Sequence, residues 1–285
     1  MPIENQSDTF ELGGTTEIHR LGFGAMRITG EDIIGRPDDE EAAHAVLQRA
    51  VELGVDFIDT ADSYGPGVSE RLINEALDTT RDDLTIGTKG GLLRNRDGDW
   101  LPNGDPDYLR NAHLCSTDRL GVDCIDLYQY HRPDPETDFE ESLQALGELQ
   151  DDGYIEHVGV SNVSVEQLDT ARELVDVATV QNRYHVAYRE EQDVLDACEE
   201  YGVGFIPWYP LGAGDLDEVG EDIDAVAETH DASKYQIALA WLLHTSDVTL
   251  PIPGTSSIEH LEQNVAASAI ELSGDEVSRL DAAME

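Results

Sequence analysis

Apolar positions along this chain fall into a recurring local phrase. Leu53-Gly-Val-Asp-Phe-Ile-Asp59 reappears as Leu120-Gly-Val-Asp-Cys-Ile-Asp126, and more loosely as Tyr201-Gly-Val-Gly-Phe-Ile-Pro207. In each copy a helix-period pattern stops at a glycine, which takes the left-handed cap conformation without steric cost. A short apolar run follows, as at a helix-to-strand junction. The segment before the first copy reads as a helix. Asp38 to Glu41 put acids in its first turn, where the helix dipole favours them, and Ala43, Val46, Leu47 and Ala50 form one apolar stripe.

Eight strand-like runs each precede a helical pattern: Leu21–Met26, Phe57–Asp59, Thr85–Thr88, Ile125–Tyr128, His157–Val160, Ala178–Val180, Gly204–Trp208 and Val248–Ile252. The helices fall near 39–53, 69–78, 106–120, 139–151, 165–175, 191–201, 233–244 and 258–267. Eight alternations without a low-complexity linker predict one α/β domain over residues 1–285, a (β/α)8 TIM barrel. Thr9–Leu12 and Glu17–Arg20 predict a hairpin before the first barrel strand, and Ser273–Met284 a last helix. A doubly wound sheet is the competing architecture, but no G-x-G-x-x-G opens a helix after a strand; Gly22-Phe-Gly24 lacks the third glycine.

Charge changes the picture. The chain of 285 residues carries 61 acidic and 17 basic side chains, a net charge of −44. A field of that sign repels nucleic acid and anionic membranes. It also repels itself, and because charges are screened beyond roughly 3 Å near 1 M salt, the composition predicts a halophile's protein working in a salt-rich cytosol. Cys115, Cys124 and Cys198 are odd in number with no CxxC or zinc spacing, which fits a reducing cytoplasm. The first residues have neither the basic nor the apolar region of a signal peptide, and no apolar run approaches a membrane span.

Lysine occurs only at Lys89 and Lys234. Lys89 closes the run Leu84-Thr-Ile-Gly-Thr-Lys89, and the C-terminal ends of barrel strands are where barrel chemistry belongs. The strand before it ends in Asp59-Thr-Ala-Asp-Ser-Tyr64, and the strand after it in Tyr128-Gln-Tyr-His131. A carboxylate, a phenol, an ammonium and an imidazole thus arrive from adjacent strands. An ammonium beside a phenol favours the phenolate and lowers its pKa, a carboxylate holds the ammonium, and an imidazole donates to a substrate oxygen. That set suits delivery of a proton to a carbonyl. Singly, each residue also has a structural explanation: a turn cap for Asp59, a core ring for Tyr64, a rim ion pair for Lys89 and a turn position for His131.

The chain resembles the aldo-keto reductase superfamily over nearly its whole length. The likeness runs through Gly54-Val-Asp-Phe-Ile-Asp59-Thr-Ala-Asp-Ser-Tyr64-Gly, Thr88-Lys89-Gly, Asp126-Leu-Tyr-Gln-Tyr-His131, Gly159-Val-Ser161-Asn162, Val180-Gln181-Asn-Arg-Tyr184, Trp208-Tyr-Pro-Leu-Gly212 and Ile252-Pro-Gly-Thr-Ser-Ser257 to Gln263-Asn264. The resemblance implies a catalytic tetrad of Asp59, Tyr64, Lys89 and His131, with Tyr64 the general acid and its pKa lowered by Lys89. It implies a nicotinamide dinucleotide bound across the barrel mouth. Ser161, Asn162 and Gln181 would hold the carboxamide and Trp208 would stack on the ring. Amides after Leu211 and Gly212 would serve the pyrophosphate, and Gln263 and Asn264 the adenine. Many relatives carry Lys and Arg in the last motif to grip the 2′-phosphate of NADPH; Gly254 and His260 stand there, with Thr255 beside them. NADPH is the expected cofactor, and NADH stays open.

Arg132-Pro-Asp-Pro135 and the last motif are similar to bacterial and archaeal aldo/keto reductases related to pyridoxal reductases, which favours small or aromatic aldehydes or ketones as substrates. Loop residues around Asp97, Asp99 and Trp100 are candidates for the mouth. A monomer is expected. A cofactor-occupancy sensor or channel-associated module of the same fold is the alternative function. A metal-dependent hydrolase fits poorly, because the nine histidines form no H-x-H or H-x-x-x-H pair.

Overall fold

The computed structural model describes residues 3–214, 216 and 219–283. Asp217 and Glu218 of the acidic run, and Met284 at the expected end of the last helix, lie outside the described residues. A hairpin of β1 (Thr9–Leu12) and β2 (Thr16–His19) comes first, then β3 (Phe23–Gly24). The chain continues through α1 (Glu40–Glu52), β4 (Phe57–Asp59), α2 (Val68–Ala76) and β5 (Thr85–Gly90). A second hairpin, β6 (Leu92–Arg94) and β7 (Trp100–Pro102), precedes α3 (Pro106–Leu120) and β8 (Ile125–Tyr130). Then come α4 (Phe139–Asp151), β9 (Ile155–Ser161), α5 (Val165–Leu174), β10 (Val177–Arg183), α6 (Gln192–Tyr201) and β11 (Gly204–Trp208). Helices α7 (Gly220–His230), α8 (Lys234–Thr245), α9 (Ile258–Ala266) and α10 (Gly274–Ala282) complete it.

Seven strands form one parallel sheet in the order β11-β10-β9-β8-β5-β4-β3. The eighth expected strand, Val248–Ile252, is no ladder strand and makes only an isolated parallel bridge between Thr249 and Phe205, a correction to the sequence reading. On one side Phe205 N–H donates to the Val248 carbonyl (2.8 Å) and Leu250 N–H to the Phe205 carbonyl (2.7 Å). On the other, Gly22 and Gly24 donate to the carbonyls of Pro251 and Pro253 at 3.0 and 3.3 Å. Proline has no N–H to return, so this segment closes the ring largely as an acceptor. The barrel of the sequence reading is therefore present, with a one-sided seam.

The repeated phrase works as read. Gly121 and Gly202 stand at φ +74° and +68° just past α3 and α6. Helix starts follow their caps: Asp39, Asp105 and Asp138 accept first-turn amides, and Ser164, Ser233 and Ser273 form reciprocal capping boxes. The first strand is shorter than expected and gives way to a 3-10 turn over Ala25–Ile28. The β6–β7 hairpin and α7 were not among the eight expected units.

Helix faces and the sheet's outer face share the main core, while β1–β2 plugs the barrel floor. Leu12 and Ile18 pack there on Phe57, Leu127, Ile206 and Leu250. At about 1.5–3 kcal/mol for each fully buried large apolar side chain, this plug fixes the floor and leaves the opposite rim for polar groups. Among the described residues no helix is long and apolar enough to cross a membrane.

Candidate active site

Register puts the tetrad at one rim. Asp59, the last residue of β4, pairs with Gly87 on β5, and Lys89, two residues on, shares a rung with Gln129 on β8. His131 follows the last residue of β8, and Tyr64 lies in the turn after β4. Lys89 Nζ donates to Asp59 Oδ2 at 2.7 Å and to the Thr60 carbonyl at 2.7 Å. The Lys89 ammonium lies 5.2 Å from the centre of the Tyr64 ring, and the Tyr64 and His131 rings stand nearly perpendicular at 6.0 Å. The structure therefore brings all four expected residues together.

Two amides complete the ion pair. Asp59 Oδ1 accepts from Gln129 Nε2 at 3.1 Å and from Gln181 Nε2 at 2.8 Å. Gln129 was not foreseen. Its signal is the spacing: it stands two residues before His131, the period that puts alternate side chains of an extended segment on one face. Gly159 makes room for it, since a Cβ there would come 2.3 Å from Thr179 Oγ1 and 2.8 Å from Gln129 Cγ.

The electrostatics depart from the sequence reading in one respect. Burial raises the Tyr64 phenol well above its ordinary pKa of 10, and the Asp59, Tyr209 and Asp62 charges push the same way. This burial outweighs the expected lowering by Lys89, whose charge is matched by Asp59 at 2.7 Å. Burial likewise pulls Lys89 below its ordinary value against the attraction of Asp59. Burial, with Lys89 and Arg132 adding to it, holds His131 well below 6.5, so its imidazole is neutral. At neutral pH the site thus presents a protonated phenol and a neutral imidazole, both able to donate to a carbonyl oxygen.

Behind the tetrad lies a second polar layer. Glu70 on α2, fully buried, accepts from Thr88 Oγ1 at 2.7 Å and pairs with Arg119 of α3. Asp62 accepts from the Tyr108 hydroxyl at 3.2 Å, while its other oxygen is buried without a partner among the described residues. Burial and the Glu70 charge push its pKa up to about 8. The Glu70 carboxylate braces the strand end that carries Lys89 through Thr88, and the Asp62 backbone amide donates to the Lys89 carbonyl at 3.1 Å.

Above the tetrad opens a cleft of about 740 Å³. Of the residues expected to hold a cofactor, Ser161, Asn162, Gln181, Trp208 and Leu211 line it, as do Gly254, Thr255, His260, Gln263 and Asn264. Gly212 does not, and its amide is spent on the Tyr209 carbonyl at 2.8 Å. Asn162 sits at φ +59°, a conformation asparagine tolerates. Its Nδ2 donates to the His131 carbonyl (3.0 Å) and to Ser161 Oγ (2.8 Å). With the Gln181 Nε2 committed to Asp59, the side-chain oxygens of Asn162 and Gln181 remain as acceptors, matching the NH2 of a carboxamide. Gly24 and Gly254 approach so closely that a Cβ on Gly254 would lie 2.5 Å from the Gly24 carbonyl oxygen. Beside them α9 presents its N-terminus, a natural seat for phosphate. These features fit an extended dinucleotide.

The mouth wall corrects the sequence reading again. Trp100 lines the cleft and meets the Tyr64 ring edge-on at 6.4 Å. Asp97 and Asp99 do not line it; Asp99 accepts instead from Asn95 Nδ2 at 2.8 Å.

The aldo/keto reductase family model matches residues 20–285. An uncharacterized oxidoreductase of Schizosaccharomyces pombe is 46% identical over 277 residues, covering 97% of this chain and 90% of that protein. Pyridoxine 4-dehydrogenase of Escherichia coli is 41% identical over 282 residues, covering 96% and 98%. Among solved structures, a thermostable aldo-keto reductase in complex with the inhibitor epalrestat superposes with a TM-score of 0.86 at 32% identity, covering 97% and 99%. A Klebsiella pneumoniae aldo-keto reductase in complex with NADPH superposes at 0.84 and 29% identity, covering 97% and 94%. The chain belongs to the aldo/keto reductase family.

Proposed function

From this membership and the rim geometry, we propose an NADPH-dependent carbonyl reductase, acting through one barrel domain over residues 1–285 on a small aldehyde or ketone. The observation that carries the reading is the buried Lys89–Asp59 pair set beside Tyr64 and His131 at the foot of the cleft. When bound, the cofactor supplies a hydride to the carbonyl carbon. Tyr64 gives its phenolic proton to the carbonyl oxygen, and the neutral His131 donates a hydrogen bond that orients that oxygen. Lys89, held by Asp59, sits where it steadies the phenolate as the proton leaves. Gln129 and Gln181 fix Asp59 so that the ion pair cannot rotate.

Asn162, Ser161 and Gln181 hold the carboxamide end, and Trp208 the ring. Thr255, His260, Gln263 and Asn264 take the adenylate end, where NADPH is favoured by the complex of the Klebsiella relative. NADH is a second candidate, because Gly254 and His260 put no permanent cation in the last motif. The relative named pyridoxine 4-dehydrogenase supports an aromatic aldehyde as substrate. The net charge of −44 supports work at high salt. Three free cysteines support a reducing, cytoplasmic location. A monomer is the simplest assembly for a site whose parts all come from one chain.

The test is Tyr64→Phe. Turnover is expected to fall by ~100-fold or more, the contribution of a general acid, with NADPH affinity unchanged. Unchanged turnover would remove Tyr64 from the mechanism. Tight NADPH binding with no turnover of any aldehyde by the native protein would favour a cofactor sensor instead.

A further inference from the structure

The cleft differs in charge from the protein that surrounds it. The chain has 61 acids against 17 bases, yet Asp59 is the sole carboxylate among the described residues lining the cleft, and Lys89 cancels it. Two arginines line the same cleft, Arg27 and Arg132. Most other arginines are engaged: Arg36, Arg49, Arg81, Arg110, Arg119 and Arg279, for example, each pair with a carboxylate. Neither the Arg27 nor the Arg132 guanidinium has an ion pair, hydrogen bond or ring contact among the described residues. Arg71 and Arg96 are likewise without such a partner among the described residues, but only Arg27 and Arg132 combine that with a place in the cleft wall, where an anion from outside can reach them.

The two have different neighbours. Arg27 follows the first barrel strand beside Gly254, where its Cγ lies 3.7 Å from the Cβ position of that glycine. That is the adenylate end, and the phosphates of the cofactor account for it. Arg132 is three strands further round the ring, directly after His131 at the end of β8. There the cofactor's phosphates have no place, and the walls are those of a substrate slot. Trp100 stands edge-on to Tyr64, with the Arg94 guanidinium stacked 3.8 Å from the Trp100 ring centre to hold it. Leu92 adds an apolar flank. An aromatic carbonyl compound fits between such walls with its oxygen toward Tyr64 and His131.

Resting on the reductase reading above, we propose that Arg132 is a specificity-determining residue that receives an anionic group of the substrate. The preferred substrates are then aromatic aldehydes or ketones that carry a carboxylate or a phosphate. A guanidinium meets either anion through a two-pronged, charge-assisted pair, stronger than a neutral hydrogen bond. The positive slot also offsets the repulsion that an anionic substrate feels from the rest of the surface. The charge of Arg132 already reaches the site, since it is one of the causes holding His131 neutral.

The experiment compares 4-formylbenzoate, 4-formylphenyl phosphate and the neutral methyl 4-formylbenzoate, with NADPH at one fixed KCl concentration. The native protein is expected to prefer at least one anion over the ester by ~10-fold or more in kcat/KM, the scale of one charge-assisted bond; which anion leads identifies the group. Arg132→Gln should lower kcat/KM for that anion by ~10–100-fold, mainly through KM, and leave the ester and the NADPH dissociation constant unchanged. Arg132→Lys should restore part of the preference. Equal kcat/KM for both anions and the ester in the native protein would overturn the assignment, as would an equal loss on all three aldehydes in Arg132→Gln. No turnover of any aldehyde would refute the reductase reading alone. In that case quenching of bound NADPH fluorescence reads the affinities directly, and tighter binding of the anion in the native protein but not in Arg132→Gln is still required.

Discussion

The Lys89 ammonium and the Asp59 carboxylate meet at 2.7 Å where neither reaches solvent, their side chains being 0% and 3% exposed. Two charges so buried are tolerated only because each is fully bonded, Lys89 by Asp59 and Thr60, Asp59 by Lys89, Gln129 and Gln181. The pair is worth little as a net source of stability, yet removing one member strands the other. Asp59→Ala is therefore expected to destabilise the fold by about 3–5 kcal/mol, the usual cost of an uncompensated buried charge. Chemical denaturation checks this. A loss under about 1 kcal/mol would mean that water reaches Lys89 in the variant.

Gly159→Ala tests the amide support without touching the tetrad. The new methyl would press on Gln129 and Thr179 at 2.8 and 2.3 Å. Overpacking of this kind costs about 1–3 kcal/mol. Loss of turnover with intact NADPH binding is expected alongside, because Gln129 must move away from Asp59. Native turnover in a destabilised variant would show that Gln181 alone suffices.

The pH dependence should differ with direction. Tyr64 is held above its ordinary pKa of 10, so it stays protonated and carbonyl reduction should show no phenol inflection below pH 10. Alcohol oxidation needs the phenolate as base and should climb steadily as the medium becomes alkaline. An oxidation profile that levels near pH 7 would place another group in the role.

Four histidines should make the fold acid-sensitive. Burial lowers the pKa of His113, His131, His157 and His185, the last to about 4. Each is neutral when folded and charges near 6.5 when unfolded. The unfolded chain therefore binds more protons below that point, and stability rises with pH through the window. Their contribution is present above pH 6.5 and is lost as the pH falls below it, for His185 down through about 4. Proton NMR titration of the ring C–H signals would show this directly. A midpoint near 6.5 for His131 in the folded protein would contradict it.

Salt should stabilise. With 61 acids against 17 bases, repulsion between surface carboxylates weakens as the Debye length contracts to roughly 3 Å near 1 M. The melting temperature is expected to rise substantially between dilute buffer and about 2 M KCl, a strongly screened medium. A melt indifferent to salt would refute the halophilic reading.

The sequence by itself determined the architecture and the rim. Helix stripes such as Ala43, Val46, Leu47 and Ala50, glycine stops at 121 and 202, and short apolar runs are local signals, and local periodicity dictates which face each side chain takes. Strand ends then placed Asp59, Lys89 and His131 on one rim before any contact was known. The tertiary structure decided what depends on depth and distant partners. The phenol of Tyr64 rises in pKa because burial outweighs a lysine already neutralised by Asp59. Gln129 and Gln181, on different strands, both spend an amide on that carboxylate. Pro251 and Pro253 turn the eighth strand into a one-sided seam, and the β6–β7 hairpin carries Trp100 to Tyr64. Arg132, read in the chain as part of a subgroup motif, became a candidate for specificity only once its lack of a partner could be seen. Desolvation and long-range pairing are properties of the closed barrel, and no spacing along the chain encodes them.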